Sequence, residues 1–286
     1  MIKAIRQALE KSCHLPLKTN KRVCILGLGK TGLSAIEFFQ KNQSQIYIYD
    51  DNIDALAQCC DRYQVEKFNY NEIDILFVSP GIPNNKVKKH KIISWAEDKK
   101  IPITSDVELF QKMNPRAKFI GITGTNGKST TTALIGTILK RLNKFKVEIC
   151  GNIGVPVLTT PAADIYVMEL SSYQLDLLPK VELDIAVCLN ITPDHLNCYL
   201  DMDDYARSKS RIFSDNSINI ISADYNLCEK ITPMSCIKFS RDSILEKGIS
   251  IIDNQLYIDD CMYQLPNNKS LVGKAAFIAR KLIAHK

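Results

Sequence analysis

Within this chain of 286 residues, the run Gly124-Thr125-Asn126-Gly127-Lys128-Ser129-Thr130 combines residue types and spacing that can do chemistry. Two glycines let the backbone amides between them curl toward an anion, Lys128 adds a positive charge, and the Ser129 hydroxyl stands where a divalent cation could be held. Those are the parts of a loop that cradles a nucleotide phosphate. The strict form of such a loop has glycine six residues before the lysine, and here that place is Ile122, so the loop is a variant. The bland alternative is a glycine-rich turn that happens to contain Gly-Lys-Ser.

A second glycine motif lies upstream, Gly27-Leu28-Gly29-Lys30-Thr31-Gly32, with Asp50 placed 23 residues after Gly27. Glycines in this pattern let the backbone approach a diphosphate, and the carboxylate can bind a ribose hydroxyl, which makes NAD the default occupant. The competing reading is that they serve only tight strand-to-helix packing. Three further segments follow the phosphate loop: Gly151-Asn152-Ile153-Gly154-Val155-Pro156, Met168-Glu169-Leu170-Ser171-Ser172-Tyr173-Gln174-Leu175 and Leu189-Asn190-Ile191-Thr192-Pro193-Asp194-His195-Leu196. Singly, Asn152 reads as a turn residue, Glu169 as a surface carboxylate, Asp194 as a helix cap and His195 as a polar residue at a helix start. In this order behind a phosphate loop, they supply an acid and an imidazole able to hold Mg2+, a hard cation that prefers oxygen but accepts one imidazole.

Elements must bring these residues to one edge of a sheet. From Arg22 to about Gln111, short apolar runs alternate with helical stretches: strands at Val23–Leu26, Gln45–Tyr49 and Ile73–Val78, and a helix at Gly32–Lys41. That alternation predicts a parallel sheet with crossover helices. Met113-Asn114-Pro115-Arg116 breaks it, so a domain boundary is expected there, between residues 1–113 and 114–286. A second alternation has strands at Lys118–Thr123, Lys146–Cys150, Ile165–Leu170, Ile185–Leu189 and Ile218–Ser222. Cys236–Phe239, Ile249–Ile252 and Gln255–Ile258, with Asp253-Asn254 as a turn between the last two, predict a small antiparallel appendage, and Ala275–Ile283 is helical in character. Val87–Lys91, with its basic run, is expected to be an exposed loop or helix end.

Composition sets the outer limits. The chain is 45% hydrophobic, enough for two domains with their own cores, and its net charge of +6 is mild. Lysines and arginines are spread rather than gathered into a stripe, which does not favour nucleic acid. Ten cysteines occur without any Cys-x-x-Cys spacing, as expected of reduced thiols in a cytoplasmic protein. No apolar run approaches a membrane span and residues 1–21 lack a signal-peptide core, so a soluble, unprocessed protein is expected.

Taken together, the segments at 123–130, 151–154, 169–175 and 189–196, and the helix segment Tyr205-Ala206-Arg207-Ser208-Lys209-Ser210-Arg211-Ile212-Phe213, resemble the Mur ligases, most closely the D-glutamate-adding branch. The resemblance runs collinearly from about Val23 to about Lys274. It implies a Rossmann-like N-terminal domain that binds the uridine nucleotide of the substrate rather than NAD, through Lys30, Thr31, Asp50, Ser79, Pro80 and Gly81. It implies a central domain that binds ATP through residues Gly124 to Thr130, with Asn152 and His195 touching the UDP-linked substrate. The implied reaction is formation of an acyl phosphate from UDP-N-acetylmuramoyl-L-alanine and ATP, then displacement of phosphate by the amine of D-glutamate. Lys128, Glu169, His195 and Lys209 are the implied catalytic residues. One Mg2+ would sit on Ser129 and Glu169, and a second near His195 and Lys209, the latter carbamylated by CO2.

The family continues into a third domain, preceded by a His-Asn segment that contacts adenine, where this chain reads Leu271-Val272-Gly273-Lys274-Ala275-Ala276. A monomeric protein without that domain is expected, with little turnover by these residues alone. One reading is a ligase completed by a separate C-terminal fragment. Another is a catalytically inactive remnant that keeps only nucleotide or UDP-sugar binding. A dehydrogenase-like NAD binder is a third, which the central phosphate loop opposes.

Overall fold

The computed structural model describes residues 21–264, apart from 69, 71, 85–86, 179–180, 234, 254 and 260. The helical stretch expected at Ala275–Ile283, the segment at 271–276 and residues 1–20 lie outside the described residues. The chain divides into two compact units. The first runs to Arg116 and takes in Val155–Ala162 and Asp176–Pro179; the second is built from Ala117–Gly154, Ala163–Leu175 and the chain from Lys180 onward.

In the first unit, strands β1 (Arg22–Leu26), β2 (Gln45–Tyr49), β3 (Glu66–Lys67), β4 (Ile75–Val78) and β5 (Ile103–Thr104) form one sheet in the order β3-β2-β1-β4-β5. Every pairing in it is parallel. Helices α1 (Lys30–Lys41), α2 (Ile53–Arg62) and α3 (Lys91–Asp98) lie in the crossovers, and α4 (Asp106–Met113) follows β5. Side chains alternate across a strand, so β1 sends Val23 and Ile25 into one core with Phe39 of α1, and Cys24 and Leu26 into another with Ile92 and Ile93 of α3. A sheet buried on both faces needs continuous apolar strands, and β1 is one. Helix α1 presents Gly32, Ala35, Ile36 and Phe39 to the sheet, an i, i+3, i+4, i+7 stripe. His90 differs from the expected exposed basic run: it is buried and caps α3, its Nδ1 accepting from the Ile92 amide at 3.2 Å.

Among the described residues, the second unit has nine strands in one sheet. They are β6 (Lys118–Thr123), β7 (Val147–Gly151), β8 (Ile165–Glu169), β9 (Ile185–Cys188), β10 (Ile218–Ser222), β11 (Ile237–Ser240), β12 (Ile249–Ile252), β13 (Gln255–Ile258) and β14 (Cys261–Gln264), in the order β14-β13-β12-β11-β10-β9-β6-β8-β7. Helix α5 (Lys128–Arg141) follows β6, α6 (Ser172–Asp176) follows β8, α7 (Met202–Ser210) precedes β10 and α8 (Asn226–Lys230) follows it. Strand β6 has β8 on one side and β9 on the other, so the connections leave it in both directions. Ligands of open α/β sheets bind beyond the carboxyl ends of the strands at such a switch point.

The expected antiparallel appendage is only partly present. Strand β11 pairs parallel with β10 and β12 parallel with β11, so both extend the main sheet; only β12-β13-β14 is antiparallel. Helix α8 carries the chain back to the starting edge, so β11 runs the same way as β10. A four-residue apolar run looks the same in sequence whichever neighbour it takes.

Candidate functional site

Strand β6 delivers the chain into the loop at Gly124, and the loop passes directly into α5 at Lys128. The loop is held by protein groups on two sides. Lys128 Nζ donates to the carbonyls of Gly124 at 2.9 Å and Thr125 at 2.8 Å, folding the ammonium back over its own loop. From the end of β9, Asn190 Oδ1 accepts from the amides of Thr125 at 3.0 Å and Asn126 at 2.8 Å, and its Nδ2 donates to the Asn126 carbonyl at 3.0 Å. The Thr125 hydroxyl donates to the Thr192 carbonyl at 3.2 Å and accepts from the Thr192 amide at 3.1 Å.

Glu169 ends β8 beside the loop and is buried. A buried carboxylate is tolerated only when it is bonded or neutralised, and Glu169 is bonded on both oxygens. Ser129 Oγ donates to Oε2 at 2.7 Å and Asn152 Nδ2 to Oε1 at 2.9 Å. Ser129, Glu169 and Asn152 therefore form one polar chain that links the amino end of α5 to the carboxyl ends of β8 and β7. The register behind it depends on Gly151, whose φ is +107° and where an added Cβ would lie 2.2 Å from the Glu169 carbonyl oxygen. That close approach lets the Asn152 amide donate to the same carbonyl at 2.9 Å.

Lys209, on α7, is almost fully buried, and its Nζ donates to the Gly124 carbonyl at 2.9 Å while lying 4.5 Å from the centre of the Tyr205 ring. Burial lowers its pKa to about 8, with the Lys128 charge adding to the shift. His195 belongs to no helix: its φ is +54° and α7 begins at Met202, capped by Asp201 through the Asp204 amide at 2.7 Å. Asp194 is thus not the helix cap its sequence position suggests. The His195 ring faces Tyr173 and Tyr205 at centroid distances of 5.2 and 6.3 Å, with Nε2 3.5 Å from Asp194. Among the described residues, no three His, Cys, Asp or Glu side chains form a ready metal cluster. Ser129 and Glu169 are the oxygen pair that geometry places together.

In the first unit, the glycine loop after β1 meets Asp50 directly. Asp50 Oδ2 accepts from the Leu28 amide at 2.7 Å and Oδ1 from the Asn52 amide at 2.8 Å, so the carboxylate braces the glycine loop after β1 and the start of α2. Ser79 Oγ donates to the Gly27 carbonyl at 2.8 Å. Gly32 is required by packing, since an added Cβ would stand 1.9 Å from the Gly27 carbonyl oxygen. Lys30 and Thr31 open α1, Lys30 exposed and Thr31 half-buried, while a Cβ at Gly29 or Gly81 would meet open space. Pro80 continues from Ser79 beyond the end of β4.

The residues singled out in sequence thus fall in two groups, residues 124–130 with Asn152, Glu169, His195 and Lys209 on the second unit, and Lys30, Thr31, Asp50 and Ser79 to Gly81 on the first. Asn190 and Tyr205 had no role assigned from sequence. An asparagine immediately beyond the strand that flanks the phosphate-loop strand was the signal available for Asn190.

A Rossmann-like parallel sheet and a second α/β sheet with a loop of phosphate-binding form at its switch point define an α/β protein of two sheets with the architecture of nucleotide-binding folds. The Mur ligase middle domain matches residues 122–254, and the Mur ligase MurD-like N-terminal domain matches residues 21–105. The UDP-N-acetylmuramoylalanine–D-glutamate ligase of Rickettsia prowazekii (strain Madrid E) is 41% identical over 270 residues, covering 88% of this chain and 59% of the relative. The enzyme of the same name from Wolbachia pipientis wMel is 42% identical over 233 residues, covering 79% of this chain and 44% of that one. The UDP-N-acetylmuramate:L-alanyl-gamma-D-glutamyl-meso-diaminopimelate ligase structure from Neisseria meningitides has a TM-score of 0.50 at 13% identity, covering 93% of each chain, which is a likeness of fold. The chain belongs to the Mur ligase family. Its matched part spans 59% and 44% of the length of these two curated relatives.

Proposed function

We propose that this chain carries the substrate- and ATP-binding units of a ligase that joins D-glutamate to UDP-N-acetylmuramoyl-L-alanine in peptidoglycan synthesis. The observation that carries the proposal is the Ser129–Glu169–Asn152 chain at the mouth of the phosphate loop. It sits in a sequence about 40% identical to ligases of that name. By the same reading the protein works in the cytoplasm as a monomer, where ATP is available and its thiols stay reduced.

In this reading ATP lies along the loop with its phosphates at the start of α5. Lys128 leaves the carbonyls of Gly124 and Thr125 for the phosphate oxygens, exchanging neutral acceptors for anionic ones, which bind an ammonium more strongly. The muramoyl-alanine carboxylate attacks the γ-phosphate, ADP departs, and the D-glutamate amine displaces phosphate from the acyl phosphate. Two anions must meet in the first step, so positioning and charge neutralisation dominate.

Ser129 and Glu169 would hold Mg2+. The Ser129 hydroxyl bonded to a buried carboxylate is an oxygen donor set of the kind a hard cation prefers. When bound, the ion supplies positive charge to the transferring phosphoryl group. Asn152, held through Glu169, and His195, on its aromatic seat, would face the UDP-linked substrate. His195 and Lys209 would serve a second Mg2+, with Lys209 as a carbamate. An ammonium cannot ligate a cation, but an amine whose pKa lies at about 8 is partly neutral near physiological pH and can add CO2. In the first unit, Lys30 and Thr31 at the open start of α1, with Asp50, Ser79, Pro80 and Gly81, would receive the uridine diphosphate.

The test has two arms. This chain should bind a fluorescent ATP analogue with Mg2+, with binding lost in Lys128→Ala, and should bind UDP-N-acetylmuramoyl-L-alanine regardless of that substitution. Joined to the remainder of a full-length ligase, it should release phosphate only when ATP, the UDP substrate and D-glutamate are all present. Nucleotide binding indifferent to Lys128→Ala, or release without the UDP substrate, would refute the proposal.

A further inference from the structure

We infer that Asn190 is a positioning residue of the phosphate loop: its side chain takes the Thr125 and Asn126 amides for itself and so leaves anion binding to the first turn of α5. The inference rests on the phosphate-loop reading above and deepens it.

A phosphate loop is ordinarily pictured with every amide between its glycines turned toward the phosphate. Here two of those amides are already satisfied. The Thr125 N–H donates to both the Asn190 carbonyl and Asn190 Oδ1, each at 3.0 Å, and the Asn126 N–H donates to Asn190 Oδ1 at 2.8 Å. Asn190 Nδ2 returns a bond to the Asn126 carbonyl at 3.0 Å. One carboxamide thus pairs with the loop as a strand edge would, fixing Thr125 and Asn126 with their N–H groups toward β9. Asn126 Nδ2 reaches Thr192 Oγ1 at 3.3 Å and adds a further tie to the same segment.

The start of α5 is arranged differently. Gly127 is the N-cap, in the left-handed region with φ +79°, and it has no side chain with which to cap the helix. The first amides of a helix have no intrahelical acceptor. Those of Lys128, Ser129 and Thr130 belong to the turn that also carries the Ser129 hydroxyl bonded to Glu169, and the helix dipole adds positive potential there. Asn190 therefore acts on the nucleotide through the loop, by fixing the conformation that aims this first turn.

The test measures amide hydrogen exchange and Mg·ATP affinity on the same protein. Without ligand, the Thr125 and Asn126 amides should be protected in the wild type and should exchange about tenfold faster or more in Asn190→Ala, with core strands β6 and β9 unchanged. Mg·ATP should newly protect Lys128 to Thr130 and leave Thr125 and Asn126 as they were. Its affinity should fall about 10- to 100-fold in Asn190→Ala, the loss expected from removing two or three hydrogen bonds. Asn190→Asp keeps the acceptor, so it should retain the amide protection while still weakening Mg·ATP through a like charge. Binding of UDP-N-acetylmuramoyl-L-alanine reports on folding and should be unchanged in both variants. New protection of Thr125 and Asn126 on binding Mg·ATP, or unaltered exchange in Asn190→Ala, overturns the inference. Wild-type protein that shows the Asn190-dependent protection but binds no Mg·ATP overturns the nucleotide reading instead, leaving the hold of Asn190 on the loop intact.

Discussion

Asp106 opens α4 fully enclosed, with its Oδ1 lacking a hydrogen-bond partner among the described residues, and burial raises its pKa to about 6. A carboxyl raised from its ordinary 3.8 binds its proton more tightly folded than unfolded. Its protonated form is therefore best tolerated below about pH 4, and stability falls as pH rises from about 4 to about 6. Above that range the buried carboxylate, held only by backbone amides at the start of its own helix, costs about 3 kcal/mol. Asp106→Asn should accordingly raise the denaturation midpoint at pH 8 and leave it nearly unchanged at pH 4, as read by urea melts at the two values. Lys209 makes the complementary case on the functional side. Lys209→Ala in a complete enzyme should lower ligation by about a hundredfold or more, with added short carboxylates restoring part of the rate; unaltered turnover would remove Lys209 from the mechanism.

At the scale of elements, two close approaches fix how strands hand their ends to the site. Gly32 lets α1 sit against the Gly27 carbonyl, and Gly151 lets the end of β7 pass the Glu169 carbonyl. Gly32→Ala should destabilise the first unit by about 2–4 kcal/mol, because the added methyl must push helix from loop. UDP-substrate affinity should fall in parallel while ATP-analogue binding holds. Gly151→Ala should chiefly weaken Mg2+-dependent nucleotide binding through Glu169, with a smaller loss of UDP-substrate affinity through Asn152. Competition titrations with each ligand distinguish the two. Element boundaries were largely readable: β2, β6 and β10 match the expected strands end to end. Pairing direction was not, as β11 and β12 show, because it depends on where the intervening chain turns rather than on the strand's own residues.

At the scale of the molecule, two units with separate sheets and separate cores invite separate ligand linkage. A ligand at a hundred times its dissociation constant stabilises the unit it binds by about 2.7 kcal/mol. Mg·ATP should therefore protect the second unit against urea and the UDP substrate should protect the first, with Lys128→Ala cancelling only the former effect. Hydrogen exchange resolved by peptide measures both in one experiment. No helix of the described residues is long and apolar enough to cross a membrane, and their cysteines are all free thiols.

The sequence by itself determined the two α/β sheets, the variant phosphate loop with Ile122 in place of glycine, and membership of the Mur ligase family. Each rests on local order: apolar periodicity, glycines at fixed spacing and motifs in collinear register. Only the tertiary structure decided that Ser129, Glu169 and Asn152 form one chain, that Asp50 braces the glycine loop after β1, that Lys209 lies buried against Gly124, and that Asn190 claims two loop amides. Those facts depend on which strand ends the sheet order brings together. A Lys209 on a polar helix or an Asn190 after a strand carries no mark of its partner until β6 is seated between β8 and β9.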